Sequence, residues 1–181
     1  MSKLAHAGVG NAPFVEPGYE CRLLVLYADD AAHDRAMVTA QRLATQFKDE
    51  LAFAIASSPF HNLTQSATAK DVADAAVVAD VLLLATYGSL PPHVDEWLTA
   101  CLARRSGREG AFALLLVEPV EVGAQILALL ARCNHAAVTS KMDFLALLPR
   151  AIEEMLADPA PPALLRPHPQ HRPPSHWGLN E

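Results

Sequence analysis

Groups able to do chemistry concentrate in two short stretches, "ADDAAHD" at residues 28 to 34 and "ATYGSLPPH" at residues 85 to 93. Asp29, Asp30 and His33 come from the first, and Thr86, Tyr87, Ser89 and His93 from the second. Imidazole with carboxylate suits Zn²⁺ or another divalent transition metal, and His61 in "SSPFHNLTQ" offers a further ligand. These ligands stand singly on three loops, with no HxxxH or CxxC pair, so no metal site is assigned. A relay of Ser89, His93 and Asp30 would suit acyl transfer. Yet "YGSLP" lacks the second glycine of a nucleophile elbow, and its serine follows the sharp turn instead of occupying it. Asp29 and Asp30 have a simpler role open to them as helix N-caps, because a side-chain oxygen there accepts a free backbone N–H. The expectation is therefore a ligand-binding crevice walled by Asp29, Asp30, His33, Thr86, Tyr87, Ser89 and His93. Its catalytic residues are unassigned, and no metal or cofactor is expected. His168, His171 and His176 show no ligand spacing and read as linker residues.

Composition narrows the function classes. The chain has 181 residues and a formal net charge of −6, with 51% hydrophobic but only 6% aromatic residues. An acidic balance speaks against a nucleic-acid backbone or an anionic membrane as partner, since either calls for clustered Lys and Arg. The densest basic group, Arg104, Arg105 and Arg108, reads as a solvated helix end. Cys21, Cys101 and Cys133 lie far apart inside regular elements and read as buried thiols in a reducing compartment. No apolar run approaches the roughly 18 residues of a membrane span, and the first twenty residues lack signal-peptide character. A cytoplasmic location is expected.

Position in a fold decides whether loops can meet. "CRLLVLYADD" predicts a strand, followed by a helix carrying Ala36, Ala40, Leu43, Ala44 and Phe47 inward. "LAFAIAS" predicts a second strand and "SSPFHNLTQ" a loop, before a small helix over 70–79 with Val72, Ala75, Ala76 and Ala79 inward. "DVLLLATY" predicts the third strand. Val94, Trp97, Leu98, Cys101 and Leu102 recur at helical spacing, and Pro91 and Pro92 stand where a helix start tolerates them. "AFALLLVE" predicts strand four, followed by a helix through Ile126, Leu127, Leu130 and Ala131. "HAAVTS" predicts a weak fifth strand, and residues 143–157 a last helix that Pro149 either kinks or begins.

Alternating strands and helices of this size predict an α/β three-layer sandwich around a five-stranded parallel sheet, in order 2-1-3-4-5. Residues 1–20 read as an N-terminal arm, 21–157 as the domain and 158–181 as a Pro-rich extended tail with Leu164, Leu165 and Trp177 as anchors. In such a sheet, ligands bind at the carboxyl ends of the strands where the order reverses, here between strands one and three. Both stretches singled out above fall there. The expected function is a non-catalytic binding or regulatory module acting through protein contacts. A homodimer is expected, with the tail as a further protein-binding element. The alternative is a small-molecule or metal-dependent enzyme using the crevice.

The order 2-1-3-4-5 is shared by flavodoxin-like flavoproteins and response-regulator receivers, and the chain resembles both in outline. The flavoproteins hold a phosphate on a Ser/Thr/Gly-rich loop after strand one. That loop is acidic here, and Asp29, Asp30 and Asp34 would repel a phosphate. "GVGNAP" at residues 8–13 has neither the strand nor the helix that a dinucleotide fingerprint requires. Over residues 21–145 the chain resembles receivers. Asp29 and Asp30 in "LYADD" match their acidic pair, and Lys141 in "VTSK" matches their lysine. The phospho-accepting Asp is replaced by Ala85, and Glu118 replaces the hydroxyl residue after strand four. That resemblance implies a receiver-like scaffold without phosphotransfer. "ADVLLLATYGSLPPHVDEW" and the terminal "HWGLNE" also resemble a group of bacterial α/β proteins, a likeness that carries no activity.

Overall fold

A computed structural model describes residues 19–105, 107–118, 123–150, 152 and 153. The arm before Tyr19 and the Pro-rich tail lie outside them. Strands run over Glu20–Tyr27 (β1), Ala52–Pro59 (β2), Val81–Thr86 (β3), Gly110–Leu116 (β4) and Met142–Leu147 (β5). Helices run over Asp30–Gln46 (α1), Ser66–Val78 (α2), Pro92–Ala103 (α3) and Ala124–Thr139 (α4), with a 3-10 turn at Phe60–Thr64. All five strands pair in parallel, in the order β2-β1-β3-β4-β5. The flavodoxin-like α/β arrangement expected from the sequence is thus the one observed. None of the described helices is long and apolar enough to cross a membrane.

The pleat sorts the aliphatic runs onto two faces. Leu24, Leu26, Leu82, Leu84, Phe112 and Leu114 meet α2, α3 and α4 on one side. Leu23, Val25, Leu83, Ala85 and Ala113 meet α1 on the other. Ala32, Ala36 and Ala40 form the buried stripe of α1 at i, i+4 and i+8, so that helix lies close to the sheet. Trp97 is half-buried against the larger cluster, and its Nε1 donates to the Ala69 carbonyl at 3.2 Å. Cys21, Cys101 and Cys133 are buried and free. Burial pushes the Cys101 and Cys133 thiols up to about 11 and about 12, which leaves them unreactive near neutrality.

Several local expectations need correction. The segment "HAAVTS" is not a strand but the end of α4 followed by Ser140. Cys133 and Ala137 continue the buried stripe of Ile126 and Leu129, while Val138 faces solvent. The helix ends at Thr139 with Ser140 as its cap, and Lys141 beyond it has a left-handed φ of 56°. Residues 143–147, expected as the start of the last helix, belong to β5, which runs over Met142–Leu147. Of the apolar residues that marked α4 in the sequence, Ile126 is buried and Leu127 is 50% exposed. Helical residues follow Pro149, whose carbonyl accepts from the amides of Ile152 and Glu153. Pro149 therefore begins that helix, and its course to residue 157 lies outside the described residues. The second helix starts at Ser66 instead of Lys70, and β2 runs on to Pro59.

The largest departure is Arg105. Instead of ending a helix in solvent, it is 2% exposed. Its Nη1 donates to the carbonyls of Ala76 at 2.7 Å and Ala79 at 2.8 Å, and its Nη2 reaches those of Arg108 and Glu109. The last carbonyls of a helix have no partner within it, and a cation there complements the helix dipole. Arg105 thereby closes the C-terminus of α2 and ties it to the turn before β4. Arg104 pairs with Asp74 and Arg108 with Asp80. Asp80 also accepts from the Arg22 amide and the Tyr19 hydroxyl, each at 2.8 Å. Replacing Arg105 with Ala leaves buried carbonyls unpaired, and each such group costs on the order of 1–3 kcal/mol. The expected loss in Arg105→Ala is about 3 kcal/mol in chemical denaturation, with Arg105→Lys recovering only part of it. Wild-type stability in Arg105→Ala would refute this role.

Candidate functional site

Strands β1 and β3 are neighbours, in register from Leu23↔Val81 to Tyr27↔Ala85. Beyond the last pair, the Ala28 amide donates to the Ala85 carbonyl at 3.1 Å. The two loops singled out in the sequence therefore leave the sheet side by side.

Asp29 has extended backbone and caps α1, its Oδ1 accepting from the Ala32 amide at 2.9 Å. The same oxygen accepts from the Tyr87 hydroxyl at 2.8 Å. The Ala32 N–H, aided by the Tyr87 O–H, holds the Asp29 carboxyl below the usual carboxylate range. The Tyr87 phenol is pushed up in turn, chiefly by donating to Asp29. Thr86 is 2% exposed, and its Oγ1 donates to the Ser89 carbonyl at 2.6 Å. That bond closes the turn over Gly88, whose φ of 112° a side chain would disfavour. Pro91 then accepts the amides of Val94 and Asp95 and starts α3.

Thr86, Tyr87, Ser89 and His93 line a shallow depression of 380 Å³, with Phe60 and His61 on its other side. This lies at the lower end of the 300–1,000 Å³ usual for ligand pockets. His93 is half-buried, and its Nε2 has no hydrogen-bond partner among the described residues. Asp29 reaches the depression only through Tyr87. Asp30 is exposed in the first turn of α1, and His33 stacks at a tilt on Tyr27 with ring centroids 4.7 Å apart. Neither Asp30 nor His33 lines the depression. Phe60 was missed in the sequence, where "SSPFHNLTQ" offers no periodicity. Its burial shows only once β2 and the 3-10 turn are placed. Among the described residues no group of three or more His, Cys, Asp or Glu is placed to hold a metal ion.

The receiver pattern thins further in space. Ala85 is fully buried within the sheet. Lys141 stands before β5 and not after it, with its Nζ beside Gly107 at the opposite rim from Asp29. A larger groove of 570 Å³ runs between α3 and α4, lined by Leu98, Leu102 and Ala136, with the Arg132–Asp95 ion pair at its edge. Its volume exceeds that of the crevice, but it lies away from the loops carrying the candidate groups.

The Asp29–Tyr87 bond has a measurable consequence. In Tyr87→Phe the Asp29 carboxyl should titrate higher, closer to an ordinary Asp, when followed by carbon-detected NMR. A folded-state pKa held low adds stability that is present above the ordinary carboxylate range and lost as pH falls through the folded value. The variant should therefore lose less stability than wild type on acidification. An unchanged Asp29 titration would disprove the bond.

No protein-family model and no curated protein matches the chain. Among solved structures it is similar to S. aureus homoserine dehydrogenase, determined as a crystal structure at pH 6.0, with a TM-score of 0.45 and 12% identity. The similarity covers 72% of this chain and 33% of that one, so the chain spans about a third of the enzyme's length.

Proposed function

We propose that the chain is a non-catalytic binding or regulatory module, flavodoxin-like in strand order, that acts in the cytoplasm through protein contacts. A second copy of the chain is its first partner. The observation that carries this is the internal engagement of Asp29, Thr86 and Tyr87 around the crevice. Asp29 is held by Ala32 and Tyr87, and the Thr86 hydroxyl by Ser89. A nucleophile, base or metal ligand must be free to meet its substrate, and these groups are not. The methyl group of Ala85 cannot form an acyl phosphate, so phosphotransfer in the receiver manner has no acceptor. Buried, high-pKa thiols at Cys101 and Cys133 agree with a module that does no thiol chemistry.

One observation favours a second reading, in which the crevice takes a small molecule. The Nε2 of His93 is buried beside His61 and Ser89 without a partner among the described residues, and a polar ligand would satisfy it.

Sedimentation and thermal melting of the same full-length sample separate the two. The proposed module sediments as a dimer at micromolar concentration and melts unchanged with nucleotides, flavins, Mg²⁺ or Zn²⁺. A monomer removes the partner. A compound at a hundred times its dissociation constant should add about 2.7 kcal/mol. If such a gain appears and vanishes in His93→Ala, the small-molecule reading replaces the contact module.

A further inference from the structure

Strand β2 is one edge of the sheet, and its ladder shows which backbone groups stand open. The Ala52 amide donates to the Tyr19 carbonyl at 3.1 Å, and successive residues of a strand point their N–H and C=O to opposite sides. Ala52, Ala54, Ala56 and Ser58 therefore turn these groups to β1. Phe53, Ile55 and Ser57 turn theirs outward, and none of these meets a partner among the described residues. The open set is bounded at both ends. The Leu51 amide donates to the Phe47 carbonyl at 2.8 Å, and Pro59 has no N–H. Edge strands are ordinarily kept short or charged, because an open ladder templates another strand. β5, at the other edge, has six residues and an exposed Asp143. β2 has eight, "AFAIASSP", with no ionisable side chain.

We propose that β2 pairs antiparallel with β2 of a second copy, joining the two sheets across a two-fold axis at Ile55. This rests on the dimer proposed above and names its surface. Self-pairing suits the strand because its open set is symmetric about Ile55, with Phe53 and Ser57 on either side and Leu51 and Pro59 beyond them. With Ile55 opposite its own copy, Phe53 meets Ser57 of the second copy, and every outward N–H and C=O finds a partner. An axis at a neighbouring residue leaves some of them unpaired. The contact is isologous and closes at two copies. Charge agrees with it. Identical strands without charge set no like charges opposite one another, and at the strand ends the acids Asp49 and Glu50 come level with His61 of the second copy. Beside β2, Ala54, Ala56, Ala75 and Val78 line an apolar hollow of 220 Å³, and Val78 is 37% exposed. An axis normal to the sheet brings the second copy's α2 to that same side, where it covers the hollow.

The test uses the full chain at micromolar concentration. Variants Ala54→Cys and Ala56→Cys are mixed and mildly oxidised. In the proposed register Ala54 lies opposite Ala56 of the second copy, at about 4.5 Å between Cα atoms, within reach of a disulfide. Positions of the same number are offset along the strands, beyond the roughly 7 Å that a disulfide spans. The mixture should therefore cross-link between 54 and 56 roughly tenfold faster than either variant alone, while the native cysteines, all buried, stay silent. Ser57→Pro removes an amide that points away from the sheet, so it should fold as wild type, yet raise the dimer's dissociation constant roughly thirtyfold in sedimentation. A dimer that forms without this disulfide, or is undiminished in folded Ser57→Pro, meets elsewhere; either result overturns the edge pairing and leaves the dimer standing. A monomeric wild type overturns both. Should Ser57→Pro fail to fold, the disulfide decides by itself.

Discussion

Pairing of β1 with β3 is the contact on which the other features depend. Because Tyr27 stands opposite Ala85 and the Ala28 amide reaches the Ala85 carbonyl, two loops separated by some sixty residues leave the sheet together. The strand order reverses at that point, which is where open α/β sheets expose a crevice. Slide the pairing by one residue and every aliphatic side chain of β3 changes face. Leu82 and Leu84 would then leave the α2, α3 and α4 layer, and Tyr87 would no longer meet Asp29. Packing of the two apolar layers and assembly of the crevice are thus one event.

The two rims of the sheet differ in what their polar groups do. At the carboxyl rim, short hydrogen bonds from Tyr87 to Asp29 and from Thr86 to Ser89 shape the loops around a small depression. At the amino rim, Arg105, Asp80, Arg108 and Tyr19 form a network that satisfies the end of α2 and anchors β1 and β4. Burying a guanidinium costs several kcal/mol unless its donors are met. Here Nη1 and Nη2 both find carbonyls and Nε alone lacks a partner among the described residues, so most of the guanidinium's donors are met by the helix end and the turn before β4. Among the described residues neither rim gathers free acid, base and nucleophile together, which is why contact rather than catalysis is the proposed role.

Much of this architecture was legible because its signals are local. The runs "LLVL" and "VLLLA" are aliphatic over the length of a strand, and Pro91 and Pro92 mark a helix start without reference to anything distant. Asp29 before an alanine-striped helix announces its cap in the same way. Where the outcome depended on residues far along the chain, the signal was absent. "HAAVTS" contains β-branched Val138 and Thr139, yet Cys133 and Ala137 fit a helical stripe that only packing against the sheet reveals. "MDFLAL" has neither a clean alternation nor a helical period, so its place beside β4 was invisible. Arg105 looks like any surface arginine until the end of α2, more than twenty residues earlier, is laid against it. In the candidate site, the hydroxyls of Thr86 and Tyr87 were identified, but their partners were not. Ser89 offers a carbonyl and Asp29 an already occupied oxygen, and both facts belong to backbone geometry.

The most direct measurement of the β1–β3 junction is the through-hydrogen-bond scalar coupling between the Ala28 amide nitrogen and the Ala85 carbonyl carbon in the labelled protein. The structure predicts a resolved coupling, accompanied by slow exchange of the Ala28 amide. If that coupling is absent while those within the β3–β4 pair are present, the two loops do not emerge together, and the crevice with its Asp29–Tyr87 bond does not exist as described.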